Sequence, residues 1–261
     1  MVQIKKFIKN KNQEKICILI DKPRHPKGIA IIMHGLGVTK EWVTIANSTK
    51  LFLKSGFIVV RFDARDTFGE SEGKYEDATV SSYLQDLTDV VRWSKGQSWF
   101  RKPMILVGHS IGGLCVVKYA TRRPKDIASI ITLSTVISGK LTMQSPEYRD
   151  WREWKKKGWR ERRDANGVLK RRIRWNHYAN RLRFDLLKDA KKIKAPMLMI
   201  SGSKDKITPA ADNKLLYDRL QVKKEFHTIK GAEHDIKEPA QIVKINKIMR
   251  HWTVDILRNY K

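Results

Sequence analysis

Apolar residues along the chain fall into short continuous runs separated by stretches with helical spacing. GIAIIMHG (28–35), FIVVRFDA (57–64) and PMILVGHS (103–110) are apolar without alternation, the pattern of strands covered on both faces. IASIITLSTVIS (127–138) and APMLMISGS (195–203) continue the series, and KEFHTIKG (224–231) is a shorter member. VQIKKFI and KICILI, split by the polar KNKNQE, predict an N-terminal hairpin. Between these runs the period changes. Val80, Tyr83, Leu84, Leu87, Val90 and Val91 form one apolar stripe and predict a helix over 80–95. Residues 41–54 and the stretch IGGLCVVKYATRR also read as helices. So does the C-terminal segment carrying Ile242, Ile245, Ile248, Met249, Trp252 and Ile256. Strands alternating with helices imply an α/β protein: a mainly parallel twisted sheet with helices on both faces.

One segment breaks the rhythm. Residues 139–194 hold no buried-strand run and are dense in Trp, Arg and Lys: WREWKKKGWRERR, then LKRRIRWNHYANRLRF. They predict a small helical cap, or lid, inserted between two strands and lying over the C-terminal edge of the sheet. The expected organisation is a core of residues 1–138 and 195–261 with a cap at 139–194.

Composition narrows the classes. The 261 residues, 41% hydrophobic, suffice for one substantial core. No apolar run approaches the roughly 18 residues that span a bilayer. No apolar stretch of signal-peptide length follows the basic N-terminus, so the expected compartment is cytoplasmic. Two cysteines cannot build a disulfide framework, and without paired His or Cys spacings no metal site is expected. The 54 Lys and Arg against 27 Asp and Glu give a net charge of +27. That charge admits contact with nucleic acid or an anionic membrane. The basic residues run along most of the chain, however, which favours a solvated basic surface over a dedicated polyanion site.

The candidate chemistry begins at Gly108-His109-Ser110-Ile111-Gly112, a match to G-x-S-x-G. Such a pattern arises by chance often enough to mean little alone. Here it follows a buried strand and opens a helix, the setting that exposes a nucleophilic serine at the C-terminal edge of a sheet. A serine hydroxyl needs a base, and the base needs an orienting acid. Asp205 lies past the end of the APMLMI strand and His234 past the end of KEFHTIK, so both fall at the same edge, in the order Ser, Asp, His. HGLG (34–37) ends another strand, and the backbone N–H groups of Leu36 and Ile111 are the expected oxyanion donors. His34 and His109 are expected to brace their loops by hydrogen bonds. In the cap, Trp151, Trp154, Trp159 and Trp175 are candidates to wall an acyl or aromatic pocket, the alternative being that they fasten the cap to the sheet.

HGLG (34–37), FDARDTFGESEGKYED (62–77), GHSIGG (108–113), GSKD (202–205) and GAEH (231–234) stand in the order found in the α/β-hydrolase superfamily, which the chain resembles outside 139–194. Within it the sequence is similar to bacterial and archaeal esterases related to cinnamoyl and feruloyl esterases. Monoacylglycerol lipases and proline-type serine aminopeptidases are broader relatives. The resemblance implies an α/β-hydrolase fold with a cap after the sixth strand, and carboxylesterase activity on a small-molecule ester through an acyl-enzyme. It also implies that no metal or organic cofactor takes part. Thioesterase, lipase and aminopeptidase activities stay open on the same triad. From a different class, a basic nucleic-acid- or membrane-binding protein on a hydrolase scaffold is the alternative. One departure stands out: the loop D-A-R-D-T-F-G-E-S-E-G (63–73) is a residue longer than the family pattern, so Asp66–Phe68 must turn differently.

Overall fold

The apolar runs pair into one sheet, seen in a computed structural model that describes residues 2–163 and 169–260. In chain order the first elements are β1 (Val2–Lys9), β2 (Lys15–Lys22), β3 (Gly28–Met33), α1 (Val43–Lys54) and β4 (Phe57–Phe62). Next come α2 (Val80–Lys95), β5 (Met104–His109), α3 (Ile111–Arg122) and β6 (Ser129–Leu133). The inserted segment holds α4 (Gly139–Gln144), α5 (Trp151–Lys157), β7 (Trp159–Arg163), β8 (Leu169–Arg174), α6 (Trp175–Arg181) and α7 (Leu186–Asp189). The chain closes with β9 (Met197–Gly202), α8 (Ala210–Arg219), β10 (Lys224–Ile229) and α9 (Pro239–Asn259).

The eight-stranded sheet runs β1-β2-β4-β3-β5-β6-β9-β10. The N-terminal hairpin is antiparallel, and β2 joins β4 antiparallel; every later pairing is parallel. Strand order reverses between β3 and β5, because β3 leads outward to β4 while β5 leads the other way to β6. Open α/β sheets leave a crevice at such a switch, outside the carboxyl ends of the strands. The HGLG loop and Ser110 leave from those two strands.

Both faces of the central strands are buried, which explains the absence of alternation. Ile29, Ile31, Met33, Met104 and Leu106 point to one core with the α2 and α3 stripes. Ala30, Ile32, Ile105 and Val107 point to the other, against Phe52 of α1 and Met249 and Trp252 of α9. The helix predicted over 80–95 is observed at Val80–Lys95, with all six stripe residues buried. Thr79 caps it, accepting from the Ser82 N–H while the Ser82 hydroxyl accepts from the Thr79 N–H. A cap of this kind is worth about 1 kcal/mol.

Two expectations need revision, and one helix was not expected. The inserted segment is not wholly helical: β7 and β8 form an antiparallel ribbon in which Arg162 faces Arg171 and Arg160 faces Ile173. Arginine, lysine and glutamate supply eight of its eleven positions, so no apolar alternation marked it. The run 127–138 is a strand only to Leu133; residues beyond it bend under the serine turn. Helix α8 was unforeseen because it buries little, with Asn213 and Leu216 its buried residues.

Candidate active site

Ser110 stands between β5 and α3 with φ 55° and ψ −118°, a left-handed conformation that a non-glycine residue adopts only under constraint. Its N–H bonds the Leu133 carbonyl at 2.9 Å, and its carbonyl accepts from Val136 at 3.2 Å, so the loop after β6 holds the turn. The turn is too tight for side chains at its flanks. A Cβ at Gly108 would lie 2.5 Å from the Gly112 carbonyl oxygen, and one at Gly112 would lie 2.5 Å from that of His34. Such strain costs of order 1–3 kcal/mol and persists because the surrounding sheet determines it.

The three predicted side chains meet. His234 Nε2 lies 2.9 Å from Ser110 Oγ, and His234 Nδ1 lies 2.9 Å from Asp205 Oδ2. Ser110 and Asp205 are buried, and the His234 side chain is 15% exposed. Asp205 Oδ1 accepts from the N–H groups of Ile207 and Thr208 at 2.9 and 2.8 Å, and Oδ2 accepts from the Thr208 hydroxyl at 2.7 Å. Burial alone would raise the Asp205 carboxyl; the bonds from His234 and Thr208 outweigh it and hold the group below its ordinary value. Thr208 was not singled out in the sequence. Its signal is the Asp-x-x-Thr-Pro spacing, in which an aspartate side chain bonds backbone N–H groups two and three residues on.

The HGLG loop passes directly over the serine. A Cβ on Gly35 would sit 3.1 Å from Ser110 Cβ, and the next residue, Leu36, lines the same cavity. Ile111 opens α3 directly after the serine, so its N–H is one of the helix-terminal donors with no intrahelical partner. His34 braces the loop: Nδ1 donates to the Gly35 carbonyl at 2.7 Å and Nε2 accepts from the Ala64 N–H at 2.9 Å. Burial lowers its pKa and keeps the ring neutral. His109 is buried beneath His234, its Nε2 3.2 Å from the His234 carbonyl and its Nδ1 without a partner. Burial, reinforced by nearby His234, lowers its pKa to about 4.

The long loop at 63–73 turns through Asp66, whose φ is 58°. Asp63 anchors it, accepting from Lys40 Nζ at 2.6 Å and from the Glu70 N–H at 2.9 Å. Among the described residues Cys17, Asp63 and Glu70 bring potential metal-ligand atoms within 4.8 Å of one another. The Lys40 ammonium already donates to both carboxylates there, at 2.6 and 2.8 Å. Phe68 swings outward to stack on Tyr75 at 4.5 Å, and Tyr75 lines the cavity.

That cavity, about 280 Å³, has Ser110 and His234 in its floor and the inserted segment in its wall. Of the four tryptophans expected there, Trp154 lines it and is buried. Trp151, Trp159 and Trp175 lie elsewhere. Trp175 packs edge-on behind Trp154 at 5.5 Å, Arg152 covers Trp151, and Arg172 and Arg174 cover Trp159. The reason is strand alternation: Trp159 takes one face of the ribbon, so Arg160, Arg162, Arg171 and Ile173 take the face towards the cavity. The remaining wall includes Tyr148 and Arg181, which the sequence did not single out.

A strained serine turn at the switch point of a mostly parallel sheet, with acid and base on loops after later strands, defines the α/β-hydrolase class. The family profile "serine aminopeptidase, S33" matches residues 24–173 and 162–239; the chain belongs to that family and is a hydrolase. It is 28% identical over 214 residues to the protein named palmitoyl-protein thioesterase ABHD10, mitochondrial, of Bos taurus, covering 77% of this chain and 67% of the relative. The Mus musculus protein of that name is 27% identical over 198 residues, covering 73% and 64%. The chain thus spans about two thirds of the length of these relatives. Among solved structures, Est1E from Butyrivibrio proteoclasticus with ferulic acid bound superposes with a TM-score of 0.83 at 20% identity, covering 97% of this chain and 99% of that one. The mouse α/β hydrolase domain-containing protein 10 gives 0.80 at 20% identity, with the same coverage. Among the described residues, no helix is long and apolar enough to cross a membrane.

Proposed function

We propose that the protein is a serine carboxylesterase that cleaves small-molecule esters through an acyl-enzyme on Ser110. The observation that carries this reading is the continuous chain Ser110–His234–Asp205, with both links at 2.9 Å, in the floor of a cavity. His234 Nε2 takes the Ser110 proton as Oγ attacks the carbonyl, then returns it to the leaving alcohol. Asp205 holds the donor proton on Nδ1 and stabilises the imidazolium. The N–H groups of Leu36 and Ile111 receive the oxyanion; removing one such donor costs about 10²–10³ in rate. Water repeats the sequence to release the acid. Residues 139–194 serve as a lid: Tyr148, Trp154 and Arg181 wall the cavity and so select the substrate.

Thioester hydrolysis on the same triad is the second reading, favoured by the name of the relatives in cattle and mouse. The arginines in the cavity wall argue against a long alkyl chain lying there, since it would strip water from charged groups. The cytoplasmic expectation rests on the sequence, whereas those relatives are named mitochondrial; fractionation of the native protein separates the two. Ser110→Ala should abolish turnover of p-nitrophenyl butyrate and labelling by a fluorophosphonate, and retained turnover would refute the assignment. A matched panel of butyryl ester, thioester and amide ranks the leaving groups.

A further inference from the structure

Ester cleavage by serine, histidine and aspartate requires donors at the carbonyl oxygen and no cation for the rest of the substrate. Yet Arg160, Arg162, Arg171, Arg172 and Arg181 all line the cavity above Ser110. They are not equivalent. Arg160 Nε donates to Asp150 at 3.0 Å and Arg172 Nε to Glu76 at 2.9 Å, so both have carboxylate partners. Arg171 and Arg181 have none among the described residues.

Arg181 is the more telling. It is 2% exposed, at the end of α6. Its Nη1 donates to the Tyr148 hydroxyl at 3.0 Å and its Nη2 to His177 Nε2 at 2.5 Å, while Nε has no partner. His177 Nδ1 donates to the Ala78 carbonyl at 2.9 Å, which leaves Nε2 as an acceptor. Burial, and then the Arg181 charge itself, push the His177 pKa well below its ordinary value, so this ring is neutral. A guanidinium cannot shed its proton, and here its protein partners are neutral acceptors. A buried cation of this kind is costly unless an anion meets it. Arg171 supplies a second cation in the cavity wall, beside the HGLG loop. Its Nη1 fills the space beside Gly37, 2.8 Å from where a Cβ would stand, one residue beyond Leu36.

We propose that Arg181 and Arg171 form an anion subsite, so that the substrate cleaved at Ser110 carries an oxyanion group, a carboxylate or a phosphate, apart from its scissile carbonyl. This rests on the esterase reading above. A cavity of about 280 Å³ admits a small anionic group and excludes a polyanion. Guanidinium groups bind such oxyanions through paired N–H donors, giving orientation as well as attraction. The strongly basic surface of the whole chain adds steering of anions that weakens with salt.

The test compares the mono-p-nitrophenyl ester of glutaric acid with neutral p-nitrophenyl pentanoate, in the full chain and in Arg171→Gln, Arg181→Met, Arg181→Lys and Lys155→Gln. Titration calorimetry of glutarate and of inorganic phosphate into Ser110→Ala, with and without the arginine changes, reads binding without turnover and tells carboxylate from phosphate. Expected is a charged-to-neutral ratio of kcat/KM of about tenfold or more, carried by KM. That ratio should fall towards one in Arg171→Gln and Arg181→Met, recover in part in Arg181→Lys, and hold in Lys155→Gln, an exposed lysine outside the cavity. At least one titrated anion should bind, and more weakly by tenfold in the arginine variants. The proposal is overturned if wild type shows no charged preference and neither anion binds. A ratio unmoved in Arg171→Gln, or one lost equally in Lys155→Gln, also overturns it. Should Arg181→Met fail to fold by circular dichroism, Arg171→Gln and Arg181→Lys carry the test. If Ser110 is not labelled by a fluorophosphonate but the anions still bind through the arginines, the esterase reading fails while the anion site stands.

Discussion

His109 should make the protein acid-labile in a defined window. The ring is buried, with Nε2 on the His234 carbonyl and Nδ1 unpaired. The titratable groups facing it are His234, Asp235 and Asp205, and burial dominates them, lowering its pKa to about 4. In the unfolded chain the ordinary histidine value is about 6.5. Between these values the unfolded state binds a proton that the folded state refuses. Stability therefore rises with pH across the window: its contribution is fully present above about 6.5 and is lost as pH falls through about 4. From pH 7 to pH 5 the loss from this one group is about 2 kcal/mol, equivalent to roughly 4–8 °C in Tm for a chain of this size. His109→Gln retains a side-chain N–H able to reach the His234 carbonyl but cannot titrate. Its intrinsic cost is the same at both pH values, so the difference between variant and wild type isolates the proton. Urea unfolding of both proteins at pH 7 and pH 5 measures it, with the wild type losing about 2 kcal/mol more than the variant. Parallel losses, within about 0.5 kcal/mol, would refute a neutral buried His109.

Further outcomes follow from the same geometry. Thr208→Val removes the hydroxyl that donates to Asp205 Oδ2, so kcat/KM for a neutral ester should fall about tenfold, or about 1.4 kcal/mol, with little change in KM. An unchanged kcat would show that the backbone donors alone hold Asp205. Trp154→Ala should cost about 3–5 kcal/mol in thermal or urea unfolding, because the side chain is buried against Trp175 and Tyr178. Trp159→Ala, losing contacts with Arg172 and Arg174 on its own face of the ribbon, should cost only about 1–2 kcal/mol and leave the ester preference intact.

Much of the candidate site was legible in sequence because each part sits at the end of an apolar run. Ser110, Asp205 and His234 follow β5, β9 and β10, and parallel strands bring their carboxyl ends to one edge whatever lies between them. Gly108 and Gly112 could be read as necessary for the same reason, since the turn leaves no room for a side chain at either. The cavity wall was not legible. In the 139–194 segment the ribbon carries arginine on both faces, so period 2 left no hydrophobic trace, and of its four tryptophans it is Trp154 that lines the cavity, beside Tyr148 and Arg181.

The sequence by itself determined the parallel α/β core, its two buried faces, and the order and edge of the serine, aspartate and histidine. These follow from local periodicity and from strand direction, which act over a few residues at a time. Only the tertiary structure decided what surrounds the serine. Neutral His109 beneath His234, and a buried Arg181 bonded to Tyr148, each depend on contacts between segments distant in the chain. Whether a charged side chain faces water or a cavity depends on which face of its element meets the rest of the molecule, and composition carries no record of that.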